Sequence, residues 1–203
     1  IINELSGKRT NYYINADPTK SRNLNYNFNI SRKMKKSELQ LMYNGNLRKT
    51  ISANYIDAQK NSSDVFSINN QFTLQYTLNP VLVVTLQQSF QHNSSRFSLP
   101  GLNSFRNNGS TSKLGMVLNL PHNISISSTA DRVINSNVAK PVLLWNTFMS
   151  CRIMKQQGEL KFSAMDLLKQ YQNISNSVNA YGTSTRITNG LQQYFLLTFS
   201  YFP

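Results

Sequence analysis

The chain has 203 residues, 39% hydrophobic, 11% aromatic and only 14% charged, with 21 Lys and Arg against 8 Asp and Glu for a net charge of +13. A charged share this far below the usual quarter leaves Asn, Ser, Gln and Thr to make the polar surface. One cysteine, Cys151, excludes an internal disulfide, and no run approaches the roughly 18 apolar residues of a membrane helix, "PVLVVTL" being the best.

The dominant period is two, which predicts strands with two different faces. Ten are expected, near 8–16, 23–32, 36–54, 66–77, 81–92, 111–120, 124–131, 142–154, 159–166 and 191–202. "NLNYNFNISRK" and "FSINNQFTLQYTL" alternate with much amide on the polar side. In "SELQLMY", Leu39, Leu41 and Tyr43 oppose Glu38, Gln40 and Met42. In "SKLGMVLNL", Leu114, Met116, Leu118 and Leu120 oppose Lys113, Gly115 and Asn119. In "LLWNTFMSCRIM", Leu143, Trp145, Met149, Cys151 and Ile153 oppose Asn146, Ser150 and Arg152. In "GELKFSAM", Leu160, Phe162 and Ala164 oppose Glu159, Lys161 and Ser163. The last stretch, "GLQQYFLLTFSYFP", sets Phe195, Leu197, Phe199 and Tyr201 on one side.

The connections are expected to alternate in length. Short ones fall at 32–36, 78–80, 121–123 and 155–158; long ones fall at 57–64, 93–110, 132–140 and 167–189. A soluble sandwich would bury the apolar face against a second sheet. An outer-membrane barrel would turn it to lipid. Three features favour lipid: loop length segregated by end, strands past the roughly 9–11 residues that cross a bilayer, and polar faces suited to a wet lumen. Aromatics near strand ends (Tyr12, Tyr13, Tyr76, Tyr194, Tyr201, Phe202) fit interface girdles. A barrel also accounts for a greasy last strand, since closure requires it to pair on both edges.

Two segments carry a resemblance. "QGELKFSAMDLLKQYQNISNSV" followed by "LQQYFLLTFSYFP" resembles the C-terminal end of Bacteroidetes outer-membrane β-barrel proteins of the TonB-dependent-receptor type. "NLNYNFNISRKMKKSELQLMYNGNLRKT" is similar to a hairpin of that family, with 32–36 as its periplasmic turn. The likeness covers roughly residues 20–203. It implies an all-β, antiparallel up-and-down transmembrane barrel of about 22 strands with a plug in the lumen. Residues 1–203 would then be the C-terminal portion, plug and earlier strands lying upstream. It further implies a place in the bacterial outer membrane, uptake of a bulky nutrient, contact with outer-membrane lipid, and an extracellular lipoprotein or other envelope proteins as partners. Pro203 departs from the bulky apolar residue that usually ends the family, so either the strand stops at Phe202 or the chain continues.

Other functions find less support. The basic residues are spread out, with one cluster at Arg32, Lys33, Lys35 and Lys36 that lacks interleaved aromatics, so nucleic acid is not expected as a partner. His92 and His122 have no ligand at metal spacing, no cofactor is implied, and no catalytic grouping appears; Cys151 falls on an apolar face, where a thiol is inert. Enzymatic activity is therefore not expected, and no catalytic, cofactor-binding, metal or ligand-binding residue is assigned. Asp166 and Lys169 in "AMDLLKQ" are expected to cap a short helix, Glu159 and Lys161 to form an ion pair on the polar face, and Phe97, Phe105 and Tyr181 to sit in long loops. Asn-X-Ser/Thr occurs at Asn29, Asn61, Asn93, Asn108, Asn123 and Asn173, as chance predicts for so much Asn and Ser. The alternatives to transport are a non-transporting barrel in an envelope or secretion complex, and a soluble basic sandwich that binds polyanions.

Overall fold

The computed structural model describes residues 21–34, 38–56, 59–79, 81–136, 140–171, 173–179, 182–188 and 192–202. Eleven strands lie among them: β1 (Arg22–Lys33), β2 (Leu39–Ile56), β3 (Gln59–Leu78), β4 (Leu82–Phe97), β5 (Phe105–Leu120), β6 (Ile124–Asn135), β7 (Val142–Ile153), β8 (Gly158–Met165), β9 (Asn173–Asn179), β10 (Gly182–Thr188) and β11 (Tyr194–Tyr201). Nine form one antiparallel sheet in the order β1-β2-β3-β4-β5-β6-β7-β8-β11, and β9 pairs with β10 alone. The sheet is an open up-and-down meander whose edges are β1 and β11. An all-β, antiparallel, up-and-down chain is thus what the period-two pattern specifies; the expected strand 8–16 lies outside the described residues.

Four expectations about connections need correction. The 132–140 loop starts later than expected, because β6 runs on to Asn135. The 57–64 segment is not a long loop, because the β2–β3 ladder runs on to Ile56↔Gln59. β4 and β5 extend into 93–110 and leave 98–104 between them, which puts Phe97 and Phe105 at strand ends rather than in a loop. The 167–189 stretch contains the β9–β10 hairpin, which makes eleven strands among the described residues where nine were expected there. The turns at the other end are short, as expected. Asn79, His122 and Asn123 take left-handed conformations there (φ 59, 66 and 59), which Asn accepts more readily than most residues.

Ladder registers sort the side chains onto two faces. One row runs Leu39–Tyr76–Val84–Met116–Ser128–Thr147–Ala164–Phe195 and the next Leu78–Leu82–Leu118–Ile126–Met149–Phe162–Leu197. The opposite face reads Asn27–Asn46–Asn69–Gln91–Gly109–Asn135 in one row. The apolar face is not a core. Phe195, Phe199, Leu160 and Trp145 are 59%, 57%, 41% and 44% exposed, and Ala164 is the one buried hydrophobic residue among those described. Along β5–β7 the apolar side is the more open one: Leu114, Met116, Leu143 and Trp145 are exposed while Lys113, Gly115, Val133 and Leu144 are half-buried.

Strand length exceeds the apolar rows. β3 has 20 residues and β2 has 18. The first residues of β3 are polar on both sides, with Lys60, Ser62 and Asp64 facing one way and Asn61 and Ser63 the other, while β2 opposite them keeps Ile51, Ala53 and Tyr55 on one side. Ladder hydrogen bonds and hydroxyl pairs hold this part, such as Ser52 with Ser63 at 2.6 Å.

Candidate functional site

The polar face is the surface where side-chain chemistry collects. At fixed positions the ladder lines up amides and hydroxyls: Asn25–Arg48–Ser67–Asn93–Asn107, then Asn27–Asn46–Asn69–Gln91, then Asn29–Asn44–Gln71–Ser89–Thr111. Asn46 Nδ2 donates to Asn25 Oδ1 at 3.0 Å and to Asn27 Oδ1 at 2.6 Å. Ser67 Oγ donates to Asn93 Oδ1 at 2.6 Å and Thr50 Oγ1 to Asn23 Oδ1 at 3.1 Å. An open groove of about 590 Å³ crosses β1–β6 over these rows, bordered by Asn27, Asn46, Asn69, Gln91 and Asn135. Such a field offers neutral donors and acceptors to water or to a polar ligand; it holds Arg48 but no carboxylate.

Charges gather toward the short-turn end of the same face. Lys113 lies opposite Asp131, 3.9 Å from its Oδ1, which is too far for a hydrogen bond and leaves that oxygen unpartnered. Arg152 lies opposite Glu159 at 3.8 Å. Glu159 and Lys161 share this face, as the sequence predicts, but they are not each other's partner. Lys161 Nζ instead stands 5.0 Å from the centre of the Phe148 ring.

Other singled-out residues take structural places. Asp166 does not start a helix. It sits in a turn with φ 47, its Oδ1 accepting from Gln170 N at 2.9 Å and its Oδ2 from Tyr171 N at 2.8 Å, and Lys169 N donates to its carbonyl at 2.9 Å. It caps the turn after β8 much as it would have capped a helix. Arg32 and Lys33 belong to β1, with Lys33 paired to Glu38 at 3.1 Å; Lys35, Lys36 and Tyr181 lie outside the described residues. Asn61 is fully buried and accepts from Ser98 N (3.1 Å), Ser98 Oγ (3.3 Å) and Leu99 N (3.3 Å), so it anchors the 98–104 loop. Asn29 and Asn93 are in ladders, and Asn173 opens β9. His92 bonds Asn108, and Cys151 lies on the apolar face opposite Leu160. Among the described residues no three His, Cys, Asp or Glu side chains gather. Compared with known protein families, with curated proteins and with solved structures, the chain has no match.

Sequence reading missed the alignment of the amide rows, which depends on register between distant segments. It also missed Arg132, because the expected strand 124–131 stopped one residue short of it.

Proposed function

We propose that this chain is the C-terminal part of an outer-membrane β-barrel of the TonB-dependent-receptor type, supplying wall, lumen lining and extracellular loops for uptake of a bulky nutrient. The observation that carries the membrane part is the slant of the apolar face. In β1 it spans Leu24, Tyr26, Phe28 and Ile30; in β11 it spans Phe195, Leu197, Phe199 and Tyr201. The ladder through Tyr26 crosses β3 at Ile68, whereas the ladder through Leu197 crosses β3 at Leu78, ten residues further on. At about 3.4 Å per residue and about 4.8 Å per strand, that drift over the nine-stranded sheet tilts the strands about 40° from the normal to the band. Barrel strands tilt by about 35–45° in a bilayer, so a horizontal hydrocarbon slab would match this diagonal stripe. A soluble sandwich has no need of it and would bury the stripe, whereas Phe195, Leu197, Phe199 and Trp145 are exposed.

Transport rests on the terminal motifs and on the polar face, whose neutral amides and hydroxyls suit a hydrated passage. A second reading has a specific observation behind it. β3 and β4 continue past the stripe with both sides polar, a shape that also suits a non-transporting barrel holding a partner protein outside the bilayer. Extraction of the complete native protein separates the readings first: release by carbonate without detergent would eliminate both barrels and leave the soluble sandwich. The coding sequence upstream of Ile1 separates the two barrels. A signal peptide and a plug of about a hundred residues or more are expected for transport, and their absence would leave only the non-transporting barrel.

A further inference from the structure

Charged residues break the apolar face at several points: Lys49 pairs with Asp64 across β2–β3, Arg32 ends the β1 row opposite Leu41, and Arg132 stands within the β6 row. Arg132 in β6 shares its face with Ala130 and Ile134, opposite Ser112 on one side and Leu143 on the other. Beside it, Ser112 Oγ donates to Gln88 Oε1 at 2.5 Å and Gln88 Nε2 donates to Ser110 Oγ at 2.8 Å. Those polar groups satisfy one another. Arg132 does not share in it: its guanidinium is exposed and makes no ion pair or side-chain hydrogen bond with another described residue. An open groove of about 700 Å³ runs across the same rows, bordered by Tyr43, Phe72, Leu86 and Leu114, with Arg32 on β1 and Arg132 on β6.

An unpaired cation on a lipid-facing strand is costly at the bilayer midplane and costs close to nothing near the headgroups. Arg132 stands between Ala130 and Ile134, toward the long-connection end of the β6 stripe, where an extended side chain reaches the headgroup level. A bare guanidinium selects an anion, and a planar donor fork suits phosphate in particular. An apolar groove beside it selects a hydrocarbon chain. We propose that Arg132 and this groove form a docking site for an anionic phospholipid, one of net negative charge, with an acyl chain along the groove and the phosphate, free of a compensating headgroup cation, on the guanidinium. The site rests on the membrane reading given above.

Trp145, the one tryptophan of the chain, is the ladder partner of Ala130 and so reports on this spot. The complete protein is placed in phosphatidylcholine vesicles that carry bromine-labelled phosphatidylglycerol or bromine-labelled phosphatidylcholine at equal low mole fraction. The Trp145 signal is taken as the difference from a Trp145→Phe variant. The anionic label is expected to quench at about fivefold lower mole fraction than the zwitterionic one, and R132Q is expected to abolish that preference. R132Q that is still quenched by the zwitterionic label is correctly inserted; should it fail to insert, Arg132→Met, which keeps the apolar stem, takes its place. Equal quenching by both labels in the unaltered protein overturns the lipid site, as does a preference that survives loss of the charge. Quenching by neither label overturns the membrane reading itself.

Discussion

The Tyr43 hydroxyl donates to Asn70 Oδ1 at 2.9 Å across the β2–β3 ladder, and Gly45 makes the room for it. A Cβ at Gly45 would stand 2.8 Å from that hydroxyl and 3.3 Å from Asn70 Oδ1. The tyrosine ring also lies 4.7 Å from Phe72, so the bond sits against aromatic surface on the apolar face. Gly45→Ala is therefore expected to push Tyr43 away and leave the Asn70 amide unpaired, lowering stability by about 1–3 kcal/mol. Urea unfolding of the complete protein in detergent micelles measures it, with Tyr43→Phe, which removes the hydroxyl without crowding, expected to lose about 1 kcal/mol.

Adjacent residues of β11 face opposite ways. Leu197 pairs with Phe162 and Thr198 with Lys161. Leu197→Arg should cost about 2–4 kcal/mol of folding into a bilayer if its side meets hydrocarbon. Thr198→Arg, on the polar side, should cost far less. Folded fraction in vesicles, read by the electrophoretic shift on heating, distinguishes them; equal tolerance of both substitutions would count against a lipid-facing stripe.

Asp166 is 5% exposed and both carboxylate oxygens accept backbone N–H groups. Asp166→Ala leaves those donors without a partner and places a β-carbon residue without a polar tip at φ 47. A loss of about 2–3 kcal/mol in holding this turn is expected, seen as faster proteolysis after Lys169. Asp166→Asn keeps one acceptor and the tolerance for a left-handed backbone, and should fall between.

Asn61 joins β3 to the loop at Ser98 and Leu99 through three donors on one oxygen. Asn61→Ala is expected to release that loop while the β3–β4 ladder below it stays intact. Trypsin should then cut at Arg96 and Arg106, which border the loop at the ends of β4 and β5, at least several-fold faster than in the unaltered protein. Hydrogen exchange at Leu74 and Leu86, deep in the ladder, should be unchanged.

How far the sequence could be read depended on whether a strand's two sides meet different surroundings. Where they do, as in Leu160, Phe162 and Ala164 against Glu159, Lys161 and Ser163, alternation placed the strand and both faces. At the start of β3 and after His92 in β4 both sides are polar, so no alternation exists and the ladder continued unseen, whereas in β2 Ile51, Ala53 and Tyr55 keep the alternation going and the strand was expected as far as 54. The β9–β10 hairpin was missed in the same way, inside a stretch rich in Asn and Ser.

The sequence alone determined the kind of chain this is: antiparallel strands, turns of one to a few residues at one end, and an apolar side on every main strand. Those follow from local period and turn chemistry, which act over a few residues. The tertiary structure decided what stands beside what. Glu159 meets Arg152 rather than Lys161, Asn46 bridges Asn25 and Asn27, and Arg132 is set bare beside an apolar groove. It also decided the diagonal course of the stripe. Each of these depends on register between strands, fixed by the sum of many cross-strand contacts, and a two-residue slip would keep every face intact while changing every partner.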